Sequence, residues 1–267
     1  MAIPSKYALI TGATSGIGYE LAKLFAKDGY SIVIVARYQH ELDTTSQALQ
    51  TLGAPKIITL ASDLFDPKAA FDVYKEVKAN GIDIDILVND AGQGLYGEFI
   101  ETNIQRELDI IQLNIASLVV LTKQFLIDMV YRGKGRILNL ASIAGKLPGP
   151  LQSVYHGTKA FVHSFTEAIR EEVKDKGVTI TSLLPGATDT DFFNKAEMTD
   201  SKIVQEGELA DAEKVAKDGY EALMAGKDMV ISGFKNKVQV AISNITPDNK
   251  VAAQMHKQQE PAQQTGL

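Results

Sequence analysis

The stretch Tyr7-Ala8-Leu9-Ile10-Thr11-Gly12-Ala13-Thr14-Ser15-Gly16-Ile17-Gly18 decides how this chain folds. Its first five residues, Tyr7–Thr11, are dominated by apolar and β-branched side chains and read as a buried strand. Glycines follow at 12, 16 and 18, and Tyr19-Glu20-Leu21 then opens a helical pattern. Gly12 permits the tight turn from strand to helix. Gly16 lets a phosphate approach bare backbone, and Gly18 lets the helix pack close to the sheet. The helix start presents free N–H groups, an anion site suited to pyrophosphate. Thr14, Ser15 and Ile17 complete this loop and are expected to contact the same ligand. A glycine-rich turn alone is a weak signal. Its place at the first strand-to-helix junction of an alternating chain makes it a dinucleotide-binding signal.

Working outward, short Val/Ile/Leu runs alternate with longer helical stretches. Further strands are expected at Ser31–Ala36, Lys56–Leu60, Ile84–Asn89, Arg136–Ala141, Val178–Leu184 and Met229–Ile231. Helices are expected near 16–28, 40–51, 67–79, 103–131, 151–176 and 211–225. Near-continuous apolar strands suit a parallel sheet covered on both faces. The alternation implies right-handed crossovers and an α/β, doubly wound sheet. Residues 1–235 read as one nucleotide-binding domain and 236–257 as an extension packed on or near it. Residues 258–267, Gln-rich with Pro261, read as a disordered tail. Within Lys235–Lys257, Val238, Val240, Ile242 and Ile245 are expected to cover the domain body rather than touch a membrane or partner.

Composition narrows the function classes. The 267 residues are 45% hydrophobic and 22% charged, a globular balance. The net charge of −6 and the lack of any basic run argue against nucleic-acid binding. There is no cysteine, which excludes disulfides, thiolate nucleophiles and iron–sulfur clusters. The four histidines lack metal-ligand spacing. The N-terminus reads as a strand rather than a signal peptide. Ile110–Tyr131 is broken by Gln112, Asn114, Lys123, Gln124 and Asp128, so no transmembrane segment is expected. A cytoplasmic location fits this pattern.

The second strand ends in Ala36-Arg37, where an NAD site wants a carboxylate for the ribose hydroxyls. A neutral residue leaves room for a 2′-phosphate and a guanidinium can grip it. NADP(H) is therefore favoured, with NAD(H) possible. After the third strand, Asp63-Leu64 either reaches the adenine or, through Asp63, caps the turn before Pro67. Asn89-Asp90-Ala91-Gly92 ends the fourth strand with small residues that let a cofactor pass close over backbone; the alternative is an ordinary Asx turn.

Tyr155 and Lys159 lie four residues apart and share a helix face. An ammonium beside a phenol favours the phenolate and is expected to lower its pKa from about 10. Such a tyrosine can give a proton to a carbonyl oxygen, or take one in reverse. Ser142, at the end of the fifth strand, is either a hydrogen-bond partner for the same oxygen or a turn cap. Asn114, polar within an apolar helical run, is either packing glue or the holder of a water that relays protons through Lys159.

Together these residues resemble the short-chain dehydrogenase/reductase family, over about residues 5–233. The resemblance rests on the TGxxxGIG pattern at 11–18, NDAG at 89–92, Asn114, Ser142, the Tyr155–Lys159 pair and Pro185-Gly186. It implies a single-domain Rossmann-type sheet of seven parallel strands. It implies Tyr155 as catalytic acid/base and Lys159 as its pKa-lowering, ribose-binding partner. Ser142 would orient the substrate oxygen, and Asn114 would support the relay. Pro185, Gly186, Thr188 and Thr190 would hold the nicotinamide end. A homodimer or homotetramer through the helices at 103–131 and 151–176 is also implied. Two departures stand out: Asp90 replaces the family's usual second asparagine, and Gly157-Thr158 replace its usual small residue and serine.

The substrate end is less legible. Gln93, Leu95, Leu147, Pro148, Gln152, Phe192 and Phe193 are expected to line a pocket for a neutral, partly apolar carbonyl or alcohol. Ala187–Ala210 reads as a mobile lid, with a fixed helical insertion as the alternative. An NADP-dependent carbonyl/alcohol oxidoreductase is the leading reading. A non-catalytic NADP(H)-responsive binding protein, or an isomerase or dehydratase with bound cofactor, would use the same fold.

Overall fold

The computed structural model describes residues 6–262. The strands are β1 (Tyr7–Thr11), β2 (Ser31–Ala36), β3 (Ile57–Ala61), β4 (Ile86–Asn89), β5 (Gly135–Leu140), β6 (Val178–Leu184) and β7 (Met229–Ile231). They form one parallel sheet in the order β3-β2-β1-β4-β5-β6-β7. The chain winds outward from β1 to β3 and then returns to place β4 on the other side of β1. The register pairs Thr11 with Val35 on one side and with Asn89 on the other, so the carboxyl end of β1 marks the topological switch. Ligands of open parallel sheets bind in the crevice beyond such a point.

Strand alternation assigns each residue to one of two cores. Ala8, Ile10, Ile32 and Ile34 meet α1 (Gly16–Lys27), α2 (Gln39–Thr51) and α9 (Ala212–Met224), which follows the short helices α7 (Phe192–Lys195) and α8 (Lys202–Gln205), through Leu21, Phe25, Leu49 and Val215. Leu9, Val33, Val35 and Leu87 face the opposite layer. There α3 (Ala69–Ala79) and α5 (Leu118–Arg132) supply Val73, Val77, Leu121 and Phe125, and α6 (Ser153–Val173) adds Val173. Phe25 and Phe125 are fully buried, and cutting either to alanine would cost about 3 to 5 kcal/mol.

The helix expected over 103–131 runs from Ile104 to Arg132 but is not regular. α4 (Ile104–Ile111) passes into a π-helical segment, Gln112–Ser117, and then into α5. Asn114 sits in that π segment, a form often found at functional positions. By length and apolarity this helix would suffice to cross a membrane, yet Leu113, Leu118, Leu121, Phe125 and Met129 are buried within the protein.

The expected disorder of the tail is corrected over 258–262. After β7, α10 (Phe234–Ser243) leads to α11 (Asp248–Gln259), so Gln258 and Gln259 are helical. Pro261 bridges Ser201, and the Ala262 N–H donates to the Asp200 carbonyl at 2.8 Å. Gln-rich composition suggested solvation, but Gln259 is buried and finds partners across the chain: its carbonyl accepts from the Tyr96 hydroxyl, and its amide meets His156 Nε2 at 3.2 Å. Residues 263–267 of the expected tail lie outside the described residues. The expectation for the extension is also corrected in part. Val240, Val251 and Met255 are buried, whereas Val238, Ile242 and Ile245 remain exposed.

Candidate active site

The loop at the switch point has the geometry its glycines suggested. Gly12 adopts φ +70° and donates its N–H to Val35 at 2.9 Å. Gly16, at φ +55°, has no room for a side chain: a Cβ there would stand 2.9 Å from Thr190 Cγ2. α1 begins without a side-chain cap and without an acidic residue in its first turn, so its N–H groups and positive dipole end remain available to an anion. Gly18 packs the helix against the β4 exit, and its N–H meets the Asp90 carboxylate. A Cβ there would collide with the Asp90 carboxylate at 2.4 Å, and Gly18 does not line the cleft.

That cleft has a volume of about 1000 Å³ and runs over the carboxyl edge of the sheet. Gly12, Thr14, Ser15, Gly16 and Ile17 line it, as do Arg37, Asp63, Leu64, Ala91 and Gly92. At its other end stand Ser142, Tyr155, Lys159, Pro185, Gly186, Thr188 and Thr190. The strand ends and the start of α6 thus bring the sequence-predicted groups into one crevice.

Besides Gly18, four expected residues lie off the cleft lining: Asn89, Leu95, Pro148 and Asn114. Asn89 is buried beneath the cleft, where its amide donates to Thr122 Oγ1 at 3.0 Å and to Asn139 Oδ1 at 2.9 Å. Asn139 continues this polar ladder to Thr166 at 3.0 Å. Buried amides inside a parallel sheet take such partners, and the Asn89 nitrogen is spent within the sheet while its Oδ1 is buried without a partner. Leu95 and Pro148 are absent from the lining; Leu95 is buried. Of the other expected substrate-end residues, Gln93, Leu147, Gln152, Phe192 and Phe193 do line the cleft.

Asn114 also stands behind the wall. Its Oδ1 accepts the Gln93 N–H at 3.0 Å, while its amide donates to the Gln93 carbonyl at 2.9 Å and to Thr158 Oγ1 at 3.0 Å. The side chain is engaged on both faces, which is the packing role among its two sequence readings. It clamps the loop after β4 against α6. Thr158 completes the clamp by donating to the Tyr155 carbonyl at 2.7 Å.

Thr11 was missed by sequence reading. Its hydroxyl accepts the N–H groups of both Asp90 and Ala91 at 3.1 Å, anchoring the β4 exit to β1. Only the register of neighbouring strands exposes that role.

At the reactive end, Lys159 Nζ donates to the Leu140 carbonyl at 2.7 Å and lies 5.8 Å from the Tyr155 ring centroid. Burial lowers the Lys159 pKa to about 8, with the Asp90 charge pulling it back up. Burial likewise raises Asp90 to about 7, opposed by Lys159 and by the Gly18 N–H. Asp90 Oδ1 is buried without a hydrogen-bond partner.

Tyr155 departs from the sequence expectation. Its phenol is pushed up to about 12 by burial, with the Ser142 hydrogen bond pulling it down. Desolvating a phenolate outweighs an ammonium whose nearest contact is a backbone carbonyl. Ser142 makes the expected turn cap, accepting the Ala144 N–H at 3.1 Å, and its hydroxyl lines the cleft while donating to the Pro185 carbonyl at 3.2 Å.

At the far end, Arg37 is exposed on the cleft rim, with its guanidinium 5.3 Å from the Tyr38 ring and 5.5 Å from the Phe65 ring. Asp63 Oδ1 accepts the Phe65 N–H at 3.2 Å, so Asp63 makes the Asx turn while still facing the cleft. Glu41 lies at this end too and accepts from Thr14 Oγ1 at 3.1 Å.

A glycine loop and uncapped helix at a sheet switch point, sharing a cleft with a Ser–Tyr–Lys group, define a nucleotide-binding oxidoreductase fold. The family model for short chain dehydrogenase matches residues 6–201, and the chain belongs to that family. An uncharacterized oxidoreductase of Staphylococcus epidermidis is 32% identical over 79% of this chain and 90% of its own. The very-long-chain 3-oxoacyl-CoA reductase-B of Danio rerio is 38% identical over 67% of this chain, and the match spans 58% of that protein. Among solved structures, the short-chain dehydrogenase from Sphingobium yanoikuyae in complex with NADPH superposes with a TM-score of 0.80. It is 26% identical and covers 90% of this chain and 94% of its own.

Proposed function

We propose that this protein is an NADP(H)-dependent oxidoreductase acting on a carbonyl/alcohol pair. The observation that carries the reading is the convergence of Ser142, Tyr155 and Lys159 on the same cleft as the uncapped glycine loop. The residues fit a dinucleotide: Gly12 to Ile17 would hold the pyrophosphate, Arg37 a 2′-phosphate, and Gly92, Lys159, Pro185 and Thr188 the nicotinamide end. When bound, the nicotinamide supplies or accepts hydride.

The chain's own part is proton handling. With a pKa near 12, Tyr155 is a neutral phenol at physiological pH, which is the donor state needed for carbonyl reduction. Ser142 Oγ lies beside it and holds the substrate oxygen. As the phenol gives up its proton, charge develops on its oxygen, and the Lys159 ammonium favours that charge. With a pKa near 8, Lys159 is largely protonated at neutral pH and can pass a proton onward. The clamp of Asn114 on Gln93 and Thr158 keeps α6 in phase with the loop after β4.

Arg37, backed by Tyr38 and Phe65, and the neutral Ala36 support the phosphorylated cofactor. The solved NADPH complex of the Sphingobium protein agrees with that choice. Glu41 supports some use of NAD(H), although Thr14 engages it. Resemblance to very-long-chain 3-oxoacyl-CoA reductases supports a carbonyl carried on an apolar skeleton. Exposed Ile104, Leu108, Tyr131 and Phe161 on α4, α5 and α6 support assembly through those helices.

The test is a spectrophotometric screen of aldehydes and ketones with NADPH and NADH. Turnover with NADPH at higher kcat/KM than with NADH supports the proposal. Cofactor binding without any turnover would favour a binding protein instead.

A further inference from the structure

Beside the cleft lies a second concavity of about 400 Å³, a groove between α10 and α11. It is apolar. Phe234, Val238 and Ile242 recur at four-residue spacing along α10 and form one stripe about 12 Å long. Val251 and Met255 of α11 face them across the groove. The groove contains no carboxylate, and its polar edge is mainly glutamine and hydroxyl side chains.

The groove is not a separate site. Leu147, Phe234, Gln239 and Met255 line both it and the main cleft. Leu147 is also tied to the reactive end, because its carbonyl meets Nδ1 of His156, the residue next to Tyr155, at 2.8 Å. Leu147 packs with Val251 and Met255 in a small cluster at the junction. Methionine is unbranched and flexible, so Met255 can yield to a passing chain. A ligand whose polar end sits at Tyr155 therefore has an apolar continuation leading outward past Leu147.

Much of this stripe is open to solvent. Phe234 is 80% exposed and Ile242 56%, although the neighbouring Val240 is buried. Contiguous exposed apolar side chains in a groove mark a binding surface. We infer that it takes the unbranched alkyl tail of the same carbonyl substrate whose head is reduced at Tyr155. Its continuity with the cleft favours this occupant over a membrane or a second copy. The inference rests on the oxidoreductase reading and adds to it a substrate class, long-chain carbonyl compounds.

The experiment compares butanal, octanal and dodecanal as substrates with NADPH. Wild-type kcat/KM is expected to rise with length, by roughly two- to fourfold per buried methylene. Ile242→Asp, at an exposed position outside the main cleft, should cut dodecanal turnover at least about tenfold and leave butanal within about twofold. Val238→Asp should behave alike and guards against a folding defect peculiar to one variant. A flat length profile, or equal loss for butanal and dodecanal, overturns the proposal. So does a shift in sedimentation from oligomer to monomer in Ile242→Asp, which would make the stripe a subunit interface, or loss of lipid-vesicle binding in that variant. If no aldehyde is reduced, the oxidoreductase reading fails first, and the groove is tested alone with dansyl-labelled undecanoic acid. Weaker fluorescence titration in both variants supports the groove, and unchanged titration overturns it.

Discussion

Tyr155→Phe isolates the proposed acid by removing one oxygen. The ring's surroundings show why this should not disturb the fold. Tyr155 meets Phe192 at 5.0 Å between centroids and His156 at 6.0 Å, and phenylalanine preserves both contacts. Ser142 is not left unpaired, because its hydroxyl still reaches the Pro185 carbonyl and still accepts from Ala144. No cavity of methyl size forms and a desolvated hydroxyl is removed, so unfolding free energy should change by less than about 1 kcal/mol. Chemistry should respond differently. A positioned acid contributes about a hundred- to ten-thousandfold, equivalent to about 3 to 5 kcal/mol of barrier. The assay pairs NADPH oxidation with octanal against urea unfolding followed by circular dichroism. An NADPH fluorescence titration should show binding within about twofold of wild type. If the variant kept more than about a tenth of wild-type kcat, Tyr155 would not be the proton donor. If kcat fell only in step with stability, the loss would be structural and the reasoning from the cleft would fail.

Two further predictions concern the ends of the site. Arg37→Ala should weaken NADPH about ten- to hundredfold, the worth of a charge-assisted contact on a partly solvated rim, while changing NADH less than about twofold; calorimetric titration of both cofactors checks this, and equal losses would return Arg37 to the solvated surface. The second concerns Asp90, whose pKa rises from 3.8 to about 7 on folding, so the unfolded chain releases its proton first. Stability carried by the protonated carboxyl is present below about pH 4 and is lost as pH climbs through 7. Asp90→Asn should therefore match wild type near pH 4 and exceed it in urea unfolding by pH 7.5, and a gap that does not widen with pH would refute the assignment.

The fold was legible because its signals are local. Strands β1, β2, β6 and β7 have the bounds that their runs of apolar and β-branched residues suggest, since such side chains suit a pleated, covered surface. The glycine loop was readable for a similar reason: positive φ and close approach leave few other residue choices. Ser142, Tyr155 and Lys159 were also visible, because helical phase and strand-end position are consequences of spacing. Asn114 was visible as a polar residue in an apolar run and Asn89 as part of a small-residue strand end, yet their partners were not. Those partners, Thr122, Asn139, Gln93 and Thr158, come from other elements, and only packing shows that they take up the amide N–H groups.

By itself, then, the order of residues determined the alternation of strand and helix, the glycine turn at the sheet's switch point and the choice of candidate reactive side chains. All of these depend on contacts within a few positions along the chain. Tertiary structure alone decided the electrostatics. Burial carries Tyr155 upward although a lysine lies one turn away, and couples Asp90 to Lys159 across elements. It also decided that the glutamine-rich end of α11 is ordered and that α10 leaves an apolar groove beside the cleft. Desolvation and cavity shape depend on which distant segments pack together, and that information is spread over the whole chain.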